Sequence, residues 1–130
     1  MLPGGDCGSE PAAATFASID CRLIALLARV TAESSLGASG PKLVKNLSRV
    51  KESEEAGGAA CAASDRKRAR KRLKQAVRDM IEYTHHLQTH SAHKKLPGAL
   101  RTDLLAAGTP ITDDVKTLQR TVQCPADAPR

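Results

Sequence analysis

The sequence predicts an all-α protein, a compact up-and-down helical bundle of three long and two short helices. Apolar residues recur at spacings of three and four in every segment that could be helical, which is typical of amphipathic helices. The apolar content is mainly Ala, Leu, Val and Ile, and the only aromatic residues are Phe16 and Tyr83, a composition that suits close-packed helices better than a β-sandwich. A chain of 130 residues provides one domain with a modest core.

We expect three parts along the chain. Residues 1–13 are rich in Pro, Gly and Ala and are interpreted as a flexible linker. Residues 14–124 form the helical bundle domain, and residues 125–130 form a tail. The N-terminal segment has neither the basic region nor the apolar region of a signal peptide. No stretch approaches the roughly 18 apolar residues that a membrane span needs, so no membrane span is predicted.

The first two helices form the predicted first hairpin. The first covers about residues 15–34, and its apolar stripe consists of Phe16, Ile19, Leu23, Leu26, Leu27 and Val30. The second begins at Pro41, a residue suited to the first turn of a helix. Its core positions are Leu43, Val44, Leu47 and Val50. We expect it to continue through Gly57 and Gly58, because alanines surround them and Cys61 returns to the same stripe.

The third helix is the longest uninterrupted stretch, residues 64–93, which contains no glycine or proline. It opens on two residues that cap helices well, Ser64 and Asp65. Its predicted apolar face consists of Ala69, Leu73, Ala76, Val77, Met80, Thr84 and Leu87. Polar and mostly basic residues occupy the rest of the circumference, so this helix should pack on one side and expose a basic surface on the other.

Two short helices complete the prediction. The fourth covers about residues 98–107, buries Leu100 and Leu104, and is expected to end at Gly108. Thr109 then caps a fifth helix with Pro110 at its first position. That helix presents Ile111, Val115, Leu118 and Val122 at spacings of four, three and four. One core is predicted from Leu23, Leu27, Leu47, Val77, Met80 and Leu118.

The four cysteines have no CxxC spacing and are compatible with two disulfides or with buried thiols. Cys21 lies early in the first helix and Cys61 near the end of the second. Since antiparallel packing brings these regions side by side, we predict a disulfide between Cys21 and Cys61. A bond between Cys7 and Cys124, in the two tails, is a further pairing that the sequence permits.

The basic run RKRARKRLK, residues 66–74, is the main candidate for binding. The net charge of +6 and a pI near 9.4 favour acidic partners. The candidate polyanion-binding residues are Arg66, Arg68, Lys71, Arg72, Lys74 and Arg78. The alternative is an ordinary solvated helix surface, because Arg and Lys are good helix formers. Specific nucleic-acid recognition is not expected, since Ala69 and Leu73 occupy core positions within the run and aromatic residues are missing from it.

No catalytic, cofactor or metal site is predicted. His86, His90 and His93 share one helical face at metal-ligand spacing, but that face lies opposite the apolar stripe and would be in solvent. The acidic residues Asp103, Asp113 and Asp114 are better explained as solvated helix faces than as an acid–base set. No GxSxG motif and no glycine-rich phosphate loop occurs. We therefore expect a protein that is not an enzyme.

Three segments carry a resemblance to a known family: IDCRLIALLARV, CAASDRKRARKRLKQAVRDMIEY and KKLPGALRTDLLAAGTPITDDVKTL. In helix order, in the cysteine within each of the first two helices and in the basic third helix, residues 16–122 resemble FIMAH-type helical accessory domains. These modules stand at the C-terminal ends of secreted bacterial surface proteins. The resemblance implies a non-catalytic accessory or interaction module, located outside the cell or on its surface, whose partner is the parent exported protein or a cell-surface component.

A second hypothesis comes from a different class of protein. If the chain is a complete and independent gene product, the missing export signal favours a small cytoplasmic protein. Such a protein would bind nucleic acid without sequence preference through its basic helix. The redox state of the cysteines separates the two hypotheses, because disulfides persist outside the cytosol.

Overall fold

A computed structural model describes residues 12–89 and 94–125, which contain four α-helices and no β-strand. The α-helices are α1 (Phe16–Ala32), α2 (Ser39–Ala62), α3 (Arg66–Gln88) and α4 (Gly98–Thr121), and a short 3-10 helix, Ser34–Leu36, follows α1. The prediction of an all-α protein is confirmed. The predicted count of three long and two short helices differs from the observed one, because the fourth and fifth predicted helices are a single helix.

The four helices are arranged as an antiparallel bundle. Each of α1 and α3 packs against both α2 and α4. The direction of each pair follows from the cross-helix contacts, in which early residues of one helix meet late residues of its neighbour. Ion pairs join Arg22 to Asp114 and Arg29 to Asp103, and the Asn46 amide donates a hydrogen bond to Glu82. Short connections and antiparallel neighbours give the up-and-down order.

The core of the bundle includes most of the residues that periodicity predicts. Leu23, Leu47, Met80 and Leu118 are buried in one hydrophobic cluster, whereas Leu27 and Val77 are only partly buried at its edge. The buried stripe of α3 has regular spacings of four and three, and it consists of Ala69, Leu73, Ala76, Met80, Tyr83 and Leu87. Tyr83 therefore occupies the position that the sequence interpretation gave to Thr84. None of the described helices has the combined length and hydrophobicity of a membrane span.

Gly108 does not end a helix, contrary to the prediction, but lies buried within α4. A Cβ atom at this position would come within 2.7 Å of the Tyr83 ring, so glycine permits the close approach of α3 and α4. The Tyr83 hydroxyl donates a hydrogen bond to the Leu104 carbonyl at 2.9 Å.

Thr109 is not a cap, since its hydroxyl donates to the Leu105 carbonyl one turn earlier. Pro110 also lies inside the helix. The helix α4 continues across it, and residues on either side of the proline, Gly108 and Ile111, are buried in the bundle.

The glycine pair of α2 was predicted correctly as helical. The helix runs through Gly57 and Gly58 to Ala62, and the Phe16 ring lies over both glycines. At Gly57 an added Cβ would lie 3.4 Å from both the Phe16 ring and the Ala69 carbonyl oxygen. Three helices therefore meet at this point, and the absence of side chains lets them approach closely.

The N-terminal ends of α1 and α3 are stabilised by capping side chains. The Thr15 hydroxyl accepts a hydrogen bond from the Ser18 amide, and the Asp65 carboxylate accepts one from the Arg68 amide. The helix α3 is shorter than predicted because Thr89 is already extended. Residues 90–93, the end of the predicted third helix, lie outside the described residues.

The predicted disulfide between Cys21 and Cys61 is wrong, because Cys61 pairs with Cys124. The Cα atoms of these two residues are 4.9 Å apart, and the bond ties the end of α2 to the segment after α4. The register of the first hairpin explains the error. Asp20 lies opposite Glu54, so Cys21 and Cys61 are separated by about eight residues of helix, or ~12 Å. The Cys61–Cys124 bond also contradicts the Cys7–Cys124 pairing that the sequence permitted, because Cys124 is already paired. Cys21 is disulfide-bonded as well, and Cys7 lies outside the described residues.

Candidate functional site

The first half of α3 carries an exposed basic surface. Between residues 66 and 78 the chain contains eight basic side chains and no acidic one. We call these eight the basic surface: Arg66, Lys67, Arg68, Arg70, Lys71, Arg72, Lys74 and Arg78. The local fold follows from amphipathicity, because Ala69, Leu73 and Ala76 turn one side of the helix toward α2 and α4. The basic residues are left on the remaining circumference, where seven are exposed and Arg72 is half-buried.

Four members of the basic surface form a straight row along the outermost line of α3. Lys67, Lys71, Lys74 and Arg78 follow one another at spacings of four, three and four, and all four are exposed. We call them the outer row. At the rise of an α-helix the row is ~16 Å long, with neighbours about 5–6 Å apart along the axis. A rigid helix thus presents four cations in a line to solvent.

The two edges of the basic surface are attached to neighbouring groups. The Arg70 guanidinium donates a hydrogen bond to the Gln119 carbonyl near the end of α4, at 3.2 Å. The Arg72 guanidinium donates to the Gln75 amide oxygen at 3.3 Å. Open depressions lie beside these residues, one lined by Ser64, Asp65, Arg66, Lys67 and Arg70. A second runs along the outer row as far as Lys74 and reaches Gln119 on α4.

All six predicted polyanion-binding residues belong to this surface, but two members were missed. Lys67 and Arg70 line both depressions. Lys67 could have been found from the sequence, since Lys71 follows it one turn later on the same face. Arg70 could not, because its place at the surface is set by its contact with α4.

The lysines of the outer row are not ion-paired within the described part of the chain. Among the described residues, ion pairs are formed by Arg22, Arg29 and Lys51, which lie on α1 and α2. Within the same part of the chain, Lys67, Lys71 and Lys74 make no ion pair. Like charges at one-turn spacing repel one another by a few tenths of a kcal/mol each, and a bound polyanion would relieve that repulsion.

A second charged group, which sequence reasoning missed, lies between α1 and α2. One carboxylate oxygen from each of Asp20, Glu54 and Glu55 lies within 4.8 Å of the other two. We call these residues the acidic trio. Glu54 is only 2% exposed, Asp20 is half-buried and Glu55 is exposed. The Lys51 ammonium lies 2.8 Å from a Glu55 carboxylate oxygen. Asp20 and Glu54 are 34 residues apart, so only the register of the hairpin brings them together.

The environment of Glu54 changes its protonation. Burial raises the pKa of the Glu54 carboxyl from 4.5 to about 9, with hydrogen bonding and repulsion from Asp20 acting in the same direction. The charge of Lys51 opposes the shift, and that of Glu55 adds to it. One oxygen of Glu54 and one of Asp20 are buried, and the only hydrogen bond given for Glu54 joins these two carboxyl groups. At neutral pH Glu54 therefore holds a proton.

The remaining chemical candidates from the sequence do not form a described site. His86 is half-buried on α3, and His90 and His93 lie outside the described residues, so the proposed histidine face is not defined. Two of the three aspartates considered as an acid–base set form ion pairs with arginines of α1. Asp114 pairs with Arg22 at 2.7 Å and Asp103 with Arg29 at 3.3 Å. Asp113 is exposed in the middle of α4, which agrees with a solvated helix face.

Comparison with known proteins gives no relative: no protein-family description, no curated protein and no solved structure matches this chain. The resemblance to FIMAH-type domains consequently depends on the sequence segments alone.

Proposed function

We propose that this chain is a non-catalytic helical interaction module of an exported bacterial protein that binds polyanions through the basic surface of α3. The observation that carries the proposal is the outer row, four exposed cations in line on a rigid helix with no acidic residue among them. A linear polyanion can lie along such a row and neutralise several charges at once. The row belongs to one helix and needs no cofactor.

Export is supported by the cysteines. The disulfide between Cys61 and Cys124 closes the end of the bundle that carries the basic surface, and disulfides persist mainly in oxidising compartments. The same observation argues against the cytoplasmic nucleic-acid-binding alternative. A non-catalytic role is supported by Asp103 and Asp114, whose carboxylates are engaged with arginines of α1 and are not aimed at a common substrate position.

Titration with heparin and with random-sequence duplex DNA at several salt concentrations tests the proposal. For B-DNA the logarithm of affinity should fall with the logarithm of salt with a slope of about −0.9 per neutralised phosphate, so four to six contacts give roughly −4 to −5. The triple variant Lys67→Gln, Lys71→Gln and Lys74→Gln should lose most of the affinity and reduce the slope by about 3.

A matched control carries the same change in net charge elsewhere. Lys42, Lys45 and Lys116 are exposed on α2 and α4, outside the basic surface. Their triple replacement by Gln should leave the slope nearly unchanged. Equal losses in the two triple variants would mean that net charge alone attracts the polyanion, and the proposed surface would be wrong. A hundredfold preference for one DNA sequence would instead favour a nucleic-acid-binding protein.

A further inference from the structure

The line of the outer row continues along α3 beyond its four cations. Ile81 follows Arg78 at a spacing of three, and His85 follows Ile81 at a spacing of four, so both lie on the same side of the helix as the row. Both side chains are exposed. The line therefore changes from cationic to apolar within one turn, about 4.5 Å beyond Arg78 at the rise of an α-helix.

Two large hydrophobic side chains are exposed among the described residues, Ile24 at 36% and Ile81 at 51%. A single exposed isoleucine is ordinary on a protein surface. The position of Ile81 is what carries information, because it stands in line with the outer row and away from the buried stripe of α3. A partner that covers the whole line also covers this side chain.

Acidic side chains lie beside this line and not on it. Asp79 lines a depression between α2 and α3, and Glu82 accepts a hydrogen bond from the Asn46 amide of α2. Both carboxylates are thus on the α2 side of α3. On the α4 side Ile81 borders an open depression that Asp113 and Lys116 also line. From residue 67 to residue 85 the line itself carries four positive charges and no negative one.

We propose that the polyanion bound by the basic surface is an anionic lipid bilayer, with α3 lying along the membrane surface and Ile81 inserted among the headgroups. This inference rests on the proposed function, because it names the polyanion. Clusters of about four to eight Lys and Arg residues on one helix are typical of proteins that bind anionic lipid headgroups. A flat bilayer can contact a straight row on a convex helix along its whole length.

Ile81 is the observation that favours a bilayer over a soluble polyanion. Duplex DNA and heparin present hydrated anionic groups to such a row. A bilayer presents anionic headgroups directly above acyl chains, so it neutralises the cations and buries an isoleucine at the same time. Because the apolar stripe of α3 is buried in the bundle, one side chain and not a helix face enters the lipid. The attachment is therefore peripheral and reversible, and high salt releases it.

Co-sedimentation of the full chain with lipid vesicles tests the inference at about 0.1 M salt. Phosphatidylcholine vesicles that contain roughly 30% phosphatidylglycerol should bind the protein, and vesicles of phosphatidylcholine alone should not. Lys71→Gln with Lys74→Gln should weaken binding to the anionic vesicles about 25-fold, since each basic residue near such a surface contributes about fivefold. Lys42→Gln with Lys45→Gln makes the same change in net charge at exposed positions of α2 and should weaken binding by less than about threefold.

Ile81 variants separate a bilayer from a soluble polyanion. Ile81→Ser should weaken vesicle binding by about three- to tenfold, because roughly half of the side chain leaves water on insertion. The same variant should bind heparin like the unmodified chain. Ile24→Ser removes the other exposed isoleucine, on α1, and should change neither affinity. Thermal unfolding of each variant verifies that it is folded.

The inference and the proposed function fail in different ways. If heparin affinity depends on the outer row but the anionic vesicles do not bind, the partner is a soluble polyanion and the inference is overturned while the proposed function stands. Equal effects of Ile81→Ser and Ile24→Ser on vesicle binding overturn it as well. If neither heparin nor vesicle binding depends on the outer row, the proposed function itself is wrong.

Discussion

The basic surface and the acidic trio are both groups of like charges, but the protein treats them in opposite ways. The side chains of the outer row extend into water, where the solvent screens their mutual repulsion. The trio is partly closed off between α1 and α2, and there Glu54 holds a proton at neutral pH. Depth in the bundle, and not the number of charges, decides which group must change its protonation.

This difference has a consequence for interpreting charged clusters. Exposed cations cost the fold little, so their presence alone does not reveal whether they are used. A buried carboxyl is costly to ionise, so its presence has a larger and more readily measured effect on stability. Substitutions at exposed and at buried positions test this contrast.

Adjacent residues of α3 give the largest contrast. Leu73 is fully buried and Lys74 is exposed in the outer row. Leu73→Ala should lower the free energy of unfolding by about 2–5 kcal/mol, because a buried large-to-small change loses apolar contact and leaves a cavity. Lys74→Ala should change it by less than about 0.5 kcal/mol. Urea unfolding measures both changes. Similar losses of stability in the two variants would mean that the buried face of α3 has been assigned incorrectly.

The disulfide is the next largest effect. Replacing Cys61 and Cys124 by Ser should lower the free energy of unfolding by about 2–4 kcal/mol, since the bond closes a long loop. Heparin affinity of the folded variant should be retained, because the outer row belongs to α3 alone. Peptide mapping without reductant should recover Cys61 joined to Cys124. A peptide pair containing Cys21 and Cys61 would contradict the structure.

The helices that were predicted well from the sequence are those in which apolar periodicity and helix propensity agree over several turns. The stripes of α1 and α2 repeat often enough to fix both helices, and the alanines around Gly57 and Gly58 outweigh two poor helix formers. The Gly108-Thr109-Pro110 segment shows the opposite case. Its residues are typical of a helix boundary, but Tyr83 packs against Gly108 and keeps α4 continuous. A tertiary contact of this kind has no local signal.

The two charged groups also differ in whether local sequence signals could predict them. Six residues of the basic surface were predicted because they lie in one short stretch of sequence, residues 66–78, on the side of the helix that periodicity assigns to solvent. The acidic trio and the Cys61–Cys124 bond join residues that are 34 and 63 positions apart. Both depend on the register between helices, and a shift of one turn would separate their members. Periodicity fixes the face of a helix but not this register.

The buried acid should make the stability depend on pH. The folded pKa of Glu54 is about 9, against 4.5 for an unperturbed glutamate, so the folded state binds more protons than the unfolded state between these values. The contribution of Glu54 to stability is therefore greatest below about pH 4.5 and falls as pH rises toward 9. Asp20 from α1 and Lys51 and Glu55 from α2 are the charged groups that face it.

Glu54→Gln removes this pH dependence. The variant should be more stable than the unmodified chain at pH 8, by on the order of 1–3 kcal/mol, and nearly equal to it at pH 4. Thermal unfolding across this pH range provides the measurement, with Glu52→Gln as the exposed control. If Glu54→Gln is destabilised at pH 8, then the buried carboxylate has a favourable partner when ionised and the account of its pKa is wrong.

The smallest effect concerns the exposed cations, and salt distinguishes it from the others. Replacing Lys67, Lys71 and Lys74 by Gln removes repulsion between neighbours one turn apart and removes positive charge from the N-terminal turns of α3, where it opposes the helix dipole. At about 10 mM salt the triple variant should therefore be more stable by about 0.5–1 kcal/mol. At 1 M salt, where the screening length is about 3 Å, the gain should vanish.

The Lys42, Lys45 and Lys116 triple variant should gain less, because only two of those lysines lie on one helix. An equal gain in that control would show that net charge, and not the alignment of the outer row, causes the repulsion, whereas a gain that persists at 1 M salt would show that the cause is not electrostatic.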